Sequence, residues 1–261
     1  MAKFNIHAGH NPDGKTACGA VGIIKESTEA RRVKEYLIDI LSRYGNTVYD
    51  CTCDNGKSQG DVLVGIVTRC NNHDVDLDVS IHFNSGANDI KGNIRTTGVE
   101  VLVYSMDKSN KALPYAERVV NEIAALGFRN RGVKQNAGLY YLRKTKAPAI
   151  LIECCFVDDK DDCKLYDAYE MAHAIAKGIL GIEPQKEITP INRSSSKAEV
   201  KRLQESLNTI DVGLKKLTVD GIYGSKTRAY LLAVWKKWGW NKDGKSTGWT
   251  AGQKTIRKLG L

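Results

Sequence analysis

The chain has 261 residues, 42% of them hydrophobic and 26% charged, a balance that excludes a fibrous or disordered protein and suffices for one α/β domain with a small companion. No stretch approaches the roughly 20 apolar residues of a bilayer-spanning helix. The net charge of +9 is unevenly placed: residues 1–185 hold 23 Lys and Arg against 24 Asp and Glu, net −1, whereas residues 186–261 hold 16 against 6, net +10.

The opening "MAKFNIHAGH" enters a strand pattern directly, without a signal peptide's apolar core, and predicts a soluble protein made in the cytoplasm. "KFNIHAG" and "NTVYDCTC" read as strands. Between them "STEARRVKEYLIDILSRYG" reads as an amphipathic helix capped by Ser27 or Thr28 and closed by Gly45. A second helix is expected around Val62 to Asn71, then the strands "DLDVSIHFNS" and "TGVEVLVYS" and the helix "LPYAERVVNEIAALG". The strand "AILIECCFVDD" and a final helix from about Lys164 to Leu180 complete the series. Strands alternating with helices predict an α/β fold, a mostly parallel twisted sheet with helices on both faces, over residues 1–182. The seven cysteines, odd in number and without a second CxC or CxxC pair to join "CTC", read as reduced and mostly buried thiols. "EPQKEITPINRSSSK", residues 183–197, reads as a linker, and residues 198–261, with all four tryptophans and no cysteine, as a small C-terminal helical bundle domain.

Ligand sites gather where the strands of such sheets end. His10 closes the first strand, Glu26 immediately precedes the first helix, His82 lies in "SIHFNS", and Glu153 interrupts the apolar run "AILIECCFVDD". Burying a carboxylate is costly unless it is paired, hydrogen-bonded or beside a metal. Either the strand stops at Glu153 and the acid meets solvent, or the acid faces a site. Two imidazoles and one carboxylate are the ligand set of a catalytic zinc with an open fourth position. The bland alternatives are a hydrogen-bonded strand-end histidine and a Glu26 that complements the helix dipole. Glu29 competes with Glu26 as the acidic ligand. His7 and His10 would face the same way only across a turn, so one of them is not a ligand, and His73 and His173 are assigned to structure.

"HAGHNPDGKTACGAVG", "KEST", "VSIHFNS", "GVEVLVYS" and "GLYYLRKTKAPAILIECCFVDD" occur in the order seen in zinc-dependent N-acetylmuramoyl-L-alanine amidases of the family-three type, and the resemblance covers residues 1–181. It implies that His10, Glu26 and His82 hold Zn2+, that Glu153 is the catalytic carboxylate, and that Asn84, closing "SIHFN", meets the substrate. The bond cut would join the lactyl group of N-acetylmuramic acid to L-alanine in the peptidoglycan of a Gram-positive wall. The chain departs from the family in having "IHAGH" where Asp-Pro often precedes the first Gly-His, and Cys155 where a glycine is common; neither change removes a ligand. The whole most resembles a phage endolysin, a monomer acting on the wall after the membrane is permeabilised. A host autolysin and a zinc peptidase cutting the stem peptide are the alternatives, and a non-catalytic wall binder is disfavoured by the four site residues.

The tail resembles a peptidoglycan-binding domain of signature VxxLQxxL then DGxxGxxT, matched by Val200, Leu203, Gln204, Leu207, Asp220, Gly221, Gly224 and Thr227. Trp235, Trp238, Trp240 and Trp249, interleaved with lysines, suit a wall, because indoles stack on sugar rings and ammonium groups meet carboxylates and phosphates. Burial in a three-helix core is the competing reading for Trp235. A basic aromatic tail also admits nucleic acid, but no helix-turn-helix or RNA motif supports that partner.

Overall fold

The computed structural model describes residues 1–184, 190–240, 244, 246–259 and 261. The chain divides into two compact units, Met1–Pro184 and Gln185–Leu261. Residues 185–189 of the expected linker, and residues 241–243 and 245 of the basic tryptophan-rich stretch, lie outside the described residues.

The first unit runs β1 (Lys3–Ala8), α1 (Glu26–Arg43), β2 (Thr47–Asp50), α2 (Gln59–Cys70), β3 (Leu77–Asn84), β4 (Val99–Val103), α3 (Leu113–Ala124), β5 (Asn130–Gln135), α4 (Tyr140–Lys144), β6 (Ala149–Phe156), α5 (Lys160–Leu165) and α6 (Ala168–Leu180). Its six strands form one sheet in the order β2-β1-β3-β6-β4-β5. All neighbours are parallel except β4 and β6. Alternation along the central strands separates two cores. Ile6, Val79, Ile81, Ile150 and Ile152 turn to the face covered by α1, α3 and α6, whose own apolar stripe includes Val33, Leu37 and Ile175. On the other face Leu151 meets Val62 and Ile66 of α2 and Tyr141 and Leu142 of α4. That face also carries a buried polar file, Asn5 and His7 on β1 beside Asp78 and Ser80 on β3.

The elements depart from the sequence reading in several places. Glu26 is the first residue of α1 instead of preceding it; Lys25 takes the cap position, and neither Ser27 nor Thr28 caps. α2 starts at Gln59 because the Ser58 side chain accepts from the Asp61 N–H, a turn earlier than expected. The expected last helix is two: Tyr166 is extended, and the Asp167 carboxylate accepts from the N–H groups of Tyr169 and Glu170 to start α6 afresh. β5, "NRGVKQ", escapes the sequence reading because it is a polar edge strand without apolar alternation.

The second unit comprises β7 (Ile191–Asn192), α7 (Lys197–Asn208), α8 (Ser225–Lys237), β8 (Thr250–Ala251) and α9 (Gln253–Leu259). A two-stranded antiparallel β7–β8 pair thus joins the expected helices. α7 opens on a capping box between Ser196 and Glu199. Val200, Leu203 and Leu207 pack against Leu231 and Val234 of α8. The buried Gln204 amide knots this core: its Nε2 donates to Asp220 Oδ1 (2.8 Å), Ile222 O and Thr227 Oγ1, and its Oε1 accepts from the Gly221 N–H. The signature glutamine and threonine are therefore buried structural residues, and the exposed signature aspartate accepts from the glutamine. Among the described residues no helix is long and apolar enough to cross a membrane.

Candidate metal centre and its carboxylate

Three elements converge on one carboxylate oxygen. His10 follows the end of β1, Glu26 opens α1 and His82 lies near the end of β3. Glu26 Oε1 lies 3.2 Å from His10 Nε2 and 3.0 Å from His82 Nδ1, and it also accepts from the Phe83 N–H. Glu26 Oε2 accepts from the Ala20 N–H at 2.7 Å. Burial works to raise the Glu26 pKa, but the hydrogen bonds and charges of His10 and His82 outweigh it and hold the carboxyl well below its ordinary range. One ligand atom from each of the three residues lies within 4.8 Å of the others, and the two imidazoles stand edge to face with centroids 4.8 Å apart. Glu29, the competing acid, lies elsewhere: its carboxylate pairs with Arg32 and accepts from the Tyr166 hydroxyl.

Glycines shape the cradle. A Cβ on Gly9 would stand 1.9 Å from the His82 ring, so the ring lies where any other residue would put its side chain. Gly19, at φ +80°, would put a Cβ 2.5 Å from Glu26 Oε2. The Gly9-His10 pair of the sequence is thus a steric necessity at this site.

β6 continues past Glu153 to Phe156, so the acid sits inside the strand. It pairs with His82 in the parallel register and with Glu100 of β4 in the antiparallel one. Between His82 and Asn84 the register slips, so that Cys154 and Cys155 together oppose Phe83 and both cysteines are buried. Glu153 Oε2 is shut off from solvent and has no hydrogen-bond partner. Burial, reinforced by the nearby Glu26 and Glu100 charges, pushes its pKa up from 4.5 to about 8.

Asn84 is held beside this group, its Nδ2 donating to Glu100 Oε1 at 3.1 Å. Glu100 is a residue the sequence reading passed over, although "GVEVLVYS" carries the same signal as "AILIECC", an acid inside an apolar strand. Burial favours its neutral form, yet hydrogen bonds from Lys134 and Arg131 on β5 prevail and keep it ionised. His7 stays out of the triad, buried behind it. His73 stacks on Tyr49 and bonds to Asn5, and His173 bonds to the Pro184 carbonyl.

In the second unit Trp235 is a core residue, 7% exposed, its indole N–H donating to Thr255 Oγ1. Trp238 and Trp240 stand edge to face and half-buried, with the Lys258 ammonium over both rings. The guanidinium groups of Arg193 and Arg228 approach the Trp249 ring, at 3.7 and 5.1 Å from its centroid.

An open α/β sheet that brings two imidazoles and a carboxylate together at its strand ends, next to an unpaired second carboxylate, has the donor set of a mononuclear metal hydrolase. The chain belongs to the N-acetylmuramoyl-L-alanine amidase family, whose model matches residues 5–182. It is 33% identical over 211 residues to an uncharacterized protein of Clostridium perfringens strain 13, covering 79% of this chain and 59% of that one. With the endolysin of Bacillus phage SPP1 it shares 27% identity over 181 residues, 66% of this chain and 61% of that one. Among solved structures it is similar to the catalytic domain of the CD27L endolysin targeting Clostridia difficile, at 27% identity and a TM-score of 0.63 over 71% of this chain and 100% of that one. The chain spans about half to three fifths of the length of the curated Clostridium perfringens relatives it matches.

Proposed function

We propose that the protein hydrolyses the amide between the lactyl group of N-acetylmuramic acid and L-alanine in the peptidoglycan of Gram-positive walls, with zinc held by His10, Glu26 and His82. The observation that carries this reading is Glu153 Oε2, a buried carboxylate oxygen without a partner, on the residue paired with His82 in the sheet. The donor set supports zinc: tetrahedral ligands at roughly 2.0–2.1 Å from the ion stand roughly 3.3 Å apart, and Glu26 Oε1 is 3.2 and 3.0 Å from the two histidine nitrogens. Zinc there would supply Lewis acidity toward the scissile carbonyl and toward water.

The chain's own groups do the rest. Glu153 accepts the proton of the attacking water and returns it to the departing alanine amine. A metal cation held by His10, Glu26 and His82 would stabilise its ionised form and offset the burial that otherwise keeps it protonated. Asn84, oriented by Glu100, presents a polar amide to the substrate backbone. Arg131 and Lys134 neutralise Glu100, so that Asn84 does not bring a further uncompensated charge to the site.

The second unit serves attachment to the wall. Trp238, Trp240 and Trp249 offer indole surfaces among lysines and arginines, and Trp235 supports them from the core while lining a cleft with Trp240 and Lys254. The similarity to two endolysins supports a lytic role at the end of a phage cycle. Digesting purified Gram-positive peptidoglycan and sequencing the new amino termini tests the chemistry. Alanine termini that vanish with a chelator are the expected result. Termini from within the stem peptide would overturn the amidase reading in favour of a peptidase.

A further inference from the structure

The second unit holds a cleft of about 430 Å³, within the roughly 300–1,000 Å³ range of small-ligand sites. The buried Trp235 and Thr255 form its floor, the indole N–H of the one donating to the hydroxyl of the other at 2.9 Å. Its rim is accessible: Ser246, Thr250 and Lys254 are exposed and Trp240 is half-buried. The Lys254 ammonium lies 4.6 Å from the centroid of the Trp240 ring. Among the described residues no aspartate or glutamate lines the cleft, and this ammonium rests on an indole instead of pairing with an acid.

Each accessible group has its complement. An indole surface takes the C–H face of a sugar ring, hydroxyls take the ring's polar edge, and one ammonium takes one anionic substituent. The cleft therefore suits a sugar that carries a single carboxylate close to its ring. A phosphate polymer would call for several converging cations, and Lys254 is the one that lines the cleft among the described residues. Stem-peptide carboxylates lie at least one residue beyond the sugar. In an uncut strand the lactyl carboxyl of N-acetylmuramic acid is tied up as an amide and carries no charge. Hydrolysis adds water across that amide, leaves a carboxylate on the lactyl group and releases the alanine amine with its proton. The stripped sugar then has both the ring and the lone charge.

We propose that this cleft binds N-acetylmuramic acid whose lactyl carboxylate is free, so that the second unit holds the protein on glycan strands that its first unit has stripped. This deepens, and rests on, the amidase and wall-attachment readings given above. A protein held by its own product stays beside the uncut stems of the same strand.

The test uses the full chain carrying Glu153→Gln, so that no strand is cut during the measurement. Calorimetric titration compares three soluble ligands prepared without this protein: strands of N-acetylglucosamine and N-acetylmuramic acid with free lactyl carboxylates, the same strands with stems attached, and chitooligosaccharides of equal length. Stripped strands should bind about tenfold more tightly than chitooligosaccharides, the scale of one charge-assisted hydrogen bond. Adding Lys254→Met should bring that ratio within about twofold and leave the affinity for stem-bearing strands nearly unchanged. Adding Lys236→Met removes the same charge from an exposed position outside the cleft and should preserve the ratio. A ratio near one without either lysine change would overturn the cleft's assignment. So would an equal loss in both lysine variants, which would mark attraction by net charge alone, or tighter binding of a glycerol-phosphate polymer than of stripped strands. The amidase reading fails separately: a wild-type chain that leaves stem-bearing strands uncut would overturn that reading and retention on product, while the preference for stripped strands would still identify the cleft's ligand.

Discussion

His82 and Glu153 face each other across the parallel register of β3 and β6, one a member of the candidate metal triad and the other a carboxylate with an unbonded oxygen. The pairing ties the two roles to one piece of rigid sheet. A change that shifts β6 against β3 would therefore disturb both at once.

Glu153→Gln keeps the shape of the side chain and removes its basicity. Zinc content, measured by atomic spectroscopy, should stay near that of the wild type, while turnover of a soluble muropeptide falls about 100-fold or more. Loss of zinc in this variant would make Glu153 a ligand instead.

His10→Ala and His82→Ala should each lose both metal and activity, since each removes one of the two imidazoles beside Glu26 Oε1 in the candidate triad. Glu29→Gln should keep both, because its carboxylate is engaged by Arg32 and Tyr166. Metal analysis of the three purified variants checks the assignment of the acidic ligand.

Metal-free protein should show a stability that depends on Glu153 with a definite sign. Its folded pKa of about 8 lies above the ordinary 4.5, so between these values the unfolded chain ionises while the native carboxyl stays protonated. This contribution is complete below about pH 4.5, declines as pH rises and levels off above about pH 8. Denaturant midpoints of metal-free wild type minus those of Glu153→Gln should therefore fall across that window. Asp78, raised to about 6 chiefly by burial, is common to both proteins and cancels in the difference.

Residues 1–184 form a compact unit that contains every triad residue and Glu153. This fragment should still cleave soluble muropeptides, but it should pellet with intact walls far less than the full chain does. Salt should weaken full-chain pelleting only in part, since it screens charge over about 10 Å at 0.1 M and leaves indole stacking nearly untouched. Tighter binding of residues 185–261 to duplex DNA than to peptidoglycan would replace the wall-binding role.

Among the tryptophans, Trp235→Ala should destabilise the second unit by about 3–5 kcal/mol, read from its denaturation midpoint, because it empties a core position and strands the Thr255 hydroxyl. Trp249→Ala, at a half-buried ring flanked by Arg193 and Arg228, should instead act mainly on wall pelleting.

The sequence by itself determined the class of fold and the identity of the chemistry. The alternation of apolar strands with amphipathic helices demands covered sheet faces, and an acid such as Glu153 inside an apolar strand demands a reason. It also determined the division into a nearly neutral unit and a basic, tryptophan-rich one, since composition needs no coordinates. Only the tertiary structure decided which acid joins the histidines: Glu26 and Glu29 are nearly equivalent in the chain, and the direction in which each leaves α1 separates them. It alone decided that Glu153 lies within β6 and not at its end, that Glu100 opposes it, and that Trp235 is core. Register, the slip at Cys154 and Cys155, and the polar edge strand β5 arise from pairing between segments distant in sequence, and no local pattern encodes such pairing.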